Sequence, residues 1–131
     1  MKKIYLLFLF SLVLLIAGCT QSDQSSTEGS SKNKILTIEI TSDGFSPNPL
    51  IIGMGDRVTW INKDTAEHWP ASAIHPTHEV YPESGGCIGS KFDACKGLKS
   101  GESWSFTFNE KGTWNYHDHL NPSLFAKVIA Q

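Results

Sequence analysis

The sequence lacks several features that would point to common biochemical activities. It has no excess of basic charge, since 11 Lys and Arg stand against 13 Asp and Glu, for a formal net charge of −2. Because nucleic-acid binding requires a basic surface, we exclude nucleic acid as a partner. The sequence also lacks a Ser-His-Asp order, a phosphate-binding loop and a pair of catalytic carboxylates. We therefore predict no catalytic residues, and a binding role is favoured over an enzymatic one.

Long hydrophobic runs are also absent, apart from one short segment near the N-terminus. Ile4 to Ala17 is almost wholly apolar and follows the basic start Met1-Lys2-Lys3, which is typical of an export signal. The segment is shorter than the ~20 residues that a permanent membrane-spanning helix needs. It ends in Leu15-Ile16-Ala17-Gly18-Cys19, which resembles the lipobox of bacterial lipoproteins. The resemblance implies that residues 1–18 are cleaved and that Cys19 is acylated. An ordinary secretory signal is the alternative.

A lipidated Cys19 predicts an extracytoplasmic protein of the cell envelope, held to the membrane through its lipid anchor. Acyl chains contribute ~0.8 kcal/mol per buried methylene, so two or more chains give stable anchoring. Residues 20–33 contain no large apolar side chain and cannot bury enough surface to fold. Residues 19–34 are therefore predicted to be the lipidated cysteine and a flexible linker that holds the following domain off the membrane.

The sequence has only three cysteines, and the odd number is explained if one of them carries lipid. Cys87 and Cys95 then remain as an even pair in an oxidising compartment, where a disulfide is the default expectation. The alternative is a pair of thiolate metal ligands.

Residues 35–131 show the pattern of short strands rather than of helices. Leu36, Ile38 and Ile40 alternate with polar residues, which is the period of a strand with one solvent-facing side. Further strands are predicted at residues 50–52, 57–62, 103–108, 114–116 and 125–130. With turn signals between them, these segments predict an all-β domain, a sandwich or a barrel. The exception is an irregular loop at about residues 71–101, and a loop of this length is usually functional.

Several segments together resemble a cupredoxin of the plastocyanin kind. The front half of the resemblance rests on Gly44-Phe45-Ser46-Pro47, on Leu50-Ile51-Ile52 and on residues 55–64 (GDRVTWINKD) followed by His68. The back half rests on residues 101–108, 112–116 and 122–128. Together these segments span nearly all of residues 35–131. The resemblance implies a Greek-key β-sandwich with copper bound by loops at one end.

Most of the ligands of a blue copper site are nevertheless missing. In that family, copper is held by a His after the Asn-x-Asp turn and by a late Cys-x-x-His-x-x-Met run. His68 stands at the first position, but Asp118, Asn121 and Leu124 stand where the Cys, the second His and the Met belong. A blue site depends on a thiolate–copper bond. We therefore predict no type 1 centre.

A second resemblance supplies candidate ligands in place of the missing ones. Residues 112–119 (GTWNYHDH) are similar to the His-x-His segment of multicopper oxidases, whose domains are also cupredoxins. Residues 68–70 (HWP) are similar to their His-Trp-His segment, with Pro in place of the second His. The resemblance implies that His68, His117 and His119 are imidazole ligands. With only five histidines, the chain alone is not a complete oxidase.

The chemistry of the residues supports a metal site independently of these resemblances. Residues two apart in a strand face the same way, so His117 and His119 can both contact one ion. His75 and His78 on the irregular loop are further candidate ligands. Neutral imidazole suits Cu(II), Zn and Ni, and copper is favoured by the Irving–Williams order, so we predict Cu(II) with zinc as an alternative. Each histidine could instead serve only as a hydrogen-bonding residue.

The position of Asp118 between the two histidines leaves two questions open. Asp118 either ligates the metal directly or orients an imidazole as a hydrogen-bond acceptor. Trp114, Tyr116 and Asp118 share the presumed core face, which would direct the two histidines outward. Either the strand ends near His117, or the metal lies on the outer side under the loop. Trp69 is the only tryptophan expected near a site, and the carboxylates of Glu79, Glu83 and Asp93 are expected to be solvated.

These features predict a membrane-anchored copper-binding protein that acts in copper handling or electron transfer. A redox or copper-handling protein is the partner that either role implies. The first alternative is a metal-free cupredoxin-fold interaction module that binds a partner through the long loop. The second is a small copper enzyme acting on oxygen or another small molecule.

Overall fold

The computed structural model describes residues 33–131, which form strands and connecting loops without a helix. No helix among these residues is long and apolar enough to cross a membrane. The predicted signal of residues 1–18, the acylation of Cys19 and nearly all of the predicted linker lie outside the described residues.

Two four-stranded sheets form the body of the domain. The strands are β1 (Ile35–Thr41), β2 (Gly44–Ser46), β3 (Leu50–Ile52), β4 (Arg57–Asn62), β5 (Pro70–Ser72), β6 (Ser84–Gly85), β7 (Gly89–Ser90), β8 (Ser103–Thr107), β9 (Gly112–Asp118) and β10 (Phe125–Ala130). The first sheet has the order β2-β1-β4-β8 and the second the order β3-β10-β9-β5, while β6 and β7 form a separate hairpin. Strands β1 and β4 run parallel, as do β3 and β10.

The core lies between the two sheets and follows the alternation that the sequence predicts. Ile38 and Ile40 of β1 and Trp60 of β4 are fully buried, and Ile38 lies opposite Trp60 in the register of the first sheet. Trp60 contacts Tyr116 of the second sheet at a ring-centroid distance of 5.5 Å. The all-β sandwich predicted from the sequence is therefore confirmed. Both sheets and their shared core lie within residues 35–130, so this part of the chain carries a complete core of its own.

Four short strands, β2, β5, β6 and β7, occur where the sequence shows no strand pattern. β2 pairs antiparallel with β1 and buries Phe45, just before the prolines that break the pattern. β5 pairs antiparallel with β9 and places Ala71 opposite His117. Pro70 is the first residue of β5, a position that a residue without a backbone N–H can occupy. The second sheet therefore extends into the segment expected to be irregular.

The rest of the 71–101 segment is held by a disulfide and by one buried carboxylate. Cys87 and Cys95 form the expected disulfide, with their Cα atoms 5.5 Å apart. The sequence predicts a solvated Asp93, but its carboxylate is buried. It accepts hydrogen bonds from the indole Nε1 of Trp69 at 2.7 Å and from the backbone N–H of Cys95 at 2.7 Å, which offset the cost of burial. Phe92 is fully buried and stacks on Phe106 at 5.1 Å between centroids. The segment is thus anchored to the sandwich at several points.

Candidate metal centre

Four of the five histidines converge on one site. One ring nitrogen each from His75, His78, His117 and His119 lies within 4.8 Å of every other. The His75 ring lies 4.4 Å from that of His78 and 4.8 Å from that of His117, measured between centroids. His78 and His117 are buried, His119 is half-buried and His75 is exposed. We call these four residues the histidine cluster.

Strand β9 directs His117, and His119 just beyond its end, to the outer face of the second sheet. Tyr116 points into the core against Trp60, so His117, the next residue along the strand, faces the opposite side. The strand runs on through Asp118, and His117 is only 4% exposed although it faces away from the core. Of the two arrangements that the sequence leaves open, the structure has the one in which the histidines lie on the outer side under the loop.

The loop after β5 brings the other two histidines over β9. The backbone N–H of His78 donates to the carbonyl of Ile74 at 2.8 Å, and that of Val80 donates to Ala73 at 3.0 Å, which closes a tight turn. His78 itself has a φ of 54°, in a region that costs non-glycine residues of order 1 kcal/mol or more. Gly89 of β7 approaches the carbonyl of Thr77 so closely that no Cβ would fit there. The β6–β7 hairpin therefore packs against the histidine-bearing turn.

The ring nitrogens of the histidine cluster are the main buried polar atoms left without partners. Nε2 of His78, Nε2 of His117 and Nδ1 of His119 are buried and have no hydrogen-bond partner among the described residues. Nδ1 of His78 lies 3.1 Å from the carbonyl of Pro76, and a carbonyl can only accept, so this nitrogen carries the proton. In the neutral ring, Nε2 of His78 then holds a free lone pair. Unpartnered buried nitrogens are costly unless something binds them.

The electrostatic environment keeps these imidazoles in the neutral form that binds metals. Burial, together with the nearby rings of His75, His78 and His119, lowers the pKa of His117 to about 4, and Asp118 only partly opposes this shift. Burial also lowers the pKa of His78, and His75 adds to that effect. At neutral pH both rings are therefore unprotonated and able to act as ligands.

The donor set of the histidine cluster fits copper. Four nitrogen donors without a thiolate suit Cu(II), Zn and Ni, with copper preferred among divalent ions. His75, His78, His117 and His119 are the residues that would hold the ion. The disulfide occupies both Cys87 and Cys95, so the thiolate ligands that the sequence left open are not available.

His68, the remaining candidate ligand, lies outside the cluster in a hydrogen-bonded network. Its Nδ1 is 2.8 Å from Oδ2 of Asp118, and its Nε2 is 3.1 Å from Oδ2 of Asp64. Both ring nitrogens therefore face carboxylates, and neither is free to join the other four histidines. The hydrogen bond from His68 lowers the pKa of Asp64.

Asp118 also lies outside the cluster, although both of its neighbours in sequence belong to it. Its side chain is fully buried on the core side of β9, where Oδ1 accepts hydrogen bonds from the backbone N–H of Trp69 at 2.7 Å and of Leu120 at 3.0 Å. The imidazole that Asp118 orients is that of His68. We call His68, Asp64 and Asp118 the carboxylate–imidazole network. It occupies the positions at which the cupredoxin resemblance places the first His and the Cys ligand.

The sequence predicts no role for Asp64, and the prediction that Asp93 is solvated is wrong. Asp64 lies four residues before His68, within reach of its Nε2, and this short spacing was an available signal. Asp93 anchors the indole of Trp69, whose ring packs edge-on against His119 at 4.7 Å between centroids. Trp69 thus lies beside the candidate site as expected, and it is held there by a residue whose pairing only the folded loop creates.

Comparisons with known proteins agree with this architecture. No family model matches the chain. Amicyanin from Paracoccus denitrificans is 30% identical over 98 residues, which is 73% of this chain and 65% of that protein, just under two thirds of its length. A solved Cu(I) structure of an amicyanin point mutant matches with a TM-score of 0.58 and 24% identity over 74% of this chain and 82% of that one. A purple cupredoxin from Nitrosopumilus maritimus matches with a TM-score of 0.60 and 22% identity over 73% of this chain and 99% of that one.

The two sheets and these similarities together define the domain. It is a cupredoxin-like domain, as the sequence resemblance predicts. Among solved cupredoxins, it is similar to amicyanin and to the purple cupredoxin. It differs from the blue-copper pattern in carrying a histidine cluster on the outer face of β9, with a composition compatible with copper binding.

Proposed function

We propose that this protein binds Cu(II) through His75, His78, His117 and His119. The observation that carries the proposal is the convergence of four imidazoles within 4.8 Å, three of which bury a ring nitrogen without a hydrogen-bond partner. A bound ion would satisfy these nitrogens at once. Because burial already keeps His117 neutral, little proton release would oppose binding at neutral pH.

We further propose that the role is copper handling rather than fast electron transfer. The similarity to amicyanin favours electron transfer, since solved amicyanins include a Cu(I) form and an oxidized form. The nitrogen donors of the histidine cluster favour Cu(II), whereas Cu(I) prefers soft ligands such as thiolate and thioether. An all-imidazole site is therefore better suited to holding and passing on Cu(II). A copper-handling protein of the cell envelope is the partner that this role requires.

The protein's place at the membrane is part of the same proposal. The sequence around Cys19 supports lipidation in the cell envelope, and residues 20–33 have the composition of a linker. Cys19→Ser would remove the sulfur to which lipid is attached. The variant should lose its acylated, membrane-bound form in detergent partitioning, whereas a variant that remains acylated and processed would contradict the assignment.

The binding experiment uses residues 33–131, loaded with Cu(II), desalted and assayed by elemental analysis and absorption. The expected result is close to one copper per chain with weak absorption. An intense blue absorption band would contradict a site without thiolate, because that band requires a cysteine ligand. Retention of no copper would contradict the proposal. It would favour the interaction module instead, for which the exposed side chains of Ile74, Leu120 and Phe125 are the supporting observation.

A further inference from the structure

A groove on the outer face of the second sheet adjoins the histidine cluster. Its volume is about 420 Å³, and its wall includes His75 and His117, two of the four cluster residues. The rest of the lining is mainly apolar and includes Ile74, Pro122, Phe125 and Asn115. Ile74 is 67% exposed and Phe125 is 74% exposed, so the groove opens to solvent between two large apolar side chains.

The chemistry of this lining restricts what can bind. No Asp, Glu, Lys or Arg lines the groove, so a charged ligand would find no counter-charge there. The volume lies within the range of small-molecule sites, about 300–1,000 Å³, and such sites are mainly apolar with a few polar groups. The rings of Phe125 and His75 offer aromatic surfaces, against which another ring packs favourably. The amide of Asn115 is the remaining side chain able to make a directional hydrogen bond.

We propose that this groove binds a small, uncharged aromatic molecule in contact with His75 and His117, beside the metal centre. The inference rests on the proposed function, because it places the ligand next to residues that hold copper. It goes further in assigning the site a ligand, which would make the bound ion sensitive to a small molecule. Since two of the four cluster residues line the groove, a ligand there would change the surroundings of the ion.

The test compares imidazole with 4-phenylimidazole on the Cu(II)-loaded domain of residues 33–131, followed by the copper EPR spectrum. Both probes offer the same azole nitrogen, and only the second carries a phenyl ring for the groove. We expect the phenyl ring to strengthen binding about tenfold, which corresponds to about 1.4 kcal/mol. Phe125→Ser should abolish most of that preference.

Ile51→Ser is the matched control, since Ile51 is 57% exposed on β3 of the same sheet and does not line the groove. Equal preference for the phenyl compound in Phe125→Ser and Ile51→Ser, with copper still bound, would overturn the inference and leave the proposed function intact. Failure of the unaltered domain to retain copper would instead overturn the proposed function.

A second measurement, on the metal-free domain, keeps the groove testable in either case. NMR signals of Ile74 and Pro122 should shift on addition of 4-phenylimidazole, because an aromatic ring in the groove would lie against them. An absence of shifts there would overturn the groove as an aromatic site.

Discussion

The imidazole of His68 and the four imidazoles of the histidine cluster lie on opposite sides of β9, and they differ in what faces their nitrogens. On the core side, both nitrogens of His68 face carboxylates, at 2.8 Å from Asp118 and 3.1 Å from Asp64. On the outer side, the histidine cluster buries three ring nitrogens without partners. Both ring nitrogens of His68 thus have hydrogen-bond partners within the described residues, whereas three of the cluster nitrogens do not. A histidine at a family's ligand position can therefore be held in a hydrogen-bonded network while other histidines of the chain present unpartnered nitrogens.

The largest effect on stability is expected from removing the carboxylate of Asp118. Asp118→Ala should lower the free energy of unfolding by about 3 kcal/mol, because it strands a buried imidazole and two backbone N–H groups. Chemical denaturation of the metal-free domain measures the effect. Asp118→Asn is the control, since its amide oxygen can still accept from Trp69 and Leu120, and it should cost less. If Asp118→Ala unfolds like the parent protein, the network does not support the fold.

Copper affinity should depend on the histidine cluster and not on His68. His117→Ala and His119→Ala should each weaken Cu(II) binding by a factor of at least about ten, the lower end of the effect seen even for residues that only support ligands. His68→Gln should change the affinity by no more than about twofold, since its imidazole lies outside the cluster. Competition titrations with a Cu(II) chelator measure these values. Loss of copper binding in His68→Gln, with the fold intact, would return that residue to the metal site.

Acidification should destabilise the metal-free domain through His117. Its pKa is about 4 in the folded state, against ~6.5 when unfolded, so the unfolded chain binds a proton that the folded chain refuses. The stabilisation that the neutral His117 provides is fully present above about pH 6.5, and it is lost as the pH falls toward about 4. The range from about pH 5 to 6.5 lies above the titration of most carboxylates. As the pH is lowered through that range, the midpoint of denaturation should fall. His117→Gln should make the midpoint less dependent on pH. An equal slope in the variant would contradict the assignment.

The smallest effect is expected at the exposed member of the cluster. His75→Ala should weaken Cu(II) binding by about threefold, less than either β9 variant, because water can replace an exposed ligand more easily than a buried one. The same chelator competition measures it. A loss as large as that of His117→Ala would show that the loop residue is as essential as those on the strand.

The sequence predicts the sandwich well because alternation decides it locally. Ile38, Ile40 and Trp60 lie on buried faces that a two-residue period already shows. The short strand β5 escapes prediction, because its residues become a strand only by pairing with β9. Pairing in the folded protein, rather than intrinsic strand preference, decides whether such a segment forms a strand.

The candidate site is predictable in part for the same reason. Alternation directs His117 and His119 outward, and that direction does not depend on distant parts of the chain. Whether His68 is free to bind a metal depends on Asp118, which lies 50 residues away in sequence. Only the folded sheet brings the two residues together. The resemblance to copper proteins gave no information on that pairing, because a carboxylate stands where the family has a thiol.

We expect metal to bind on the outer side of β9 and not at the ligand position of a blue copper site. A crystal structure of the Cu(II)-loaded domain, with anomalous differences recorded at the copper edge, tests it most directly. The expected result is one copper peak among His75, His78, His117 and His119, with the hydrogen bonds of His68 to Asp64 and Asp118 intact. A copper peak between His68 and Asp118 would contradict it.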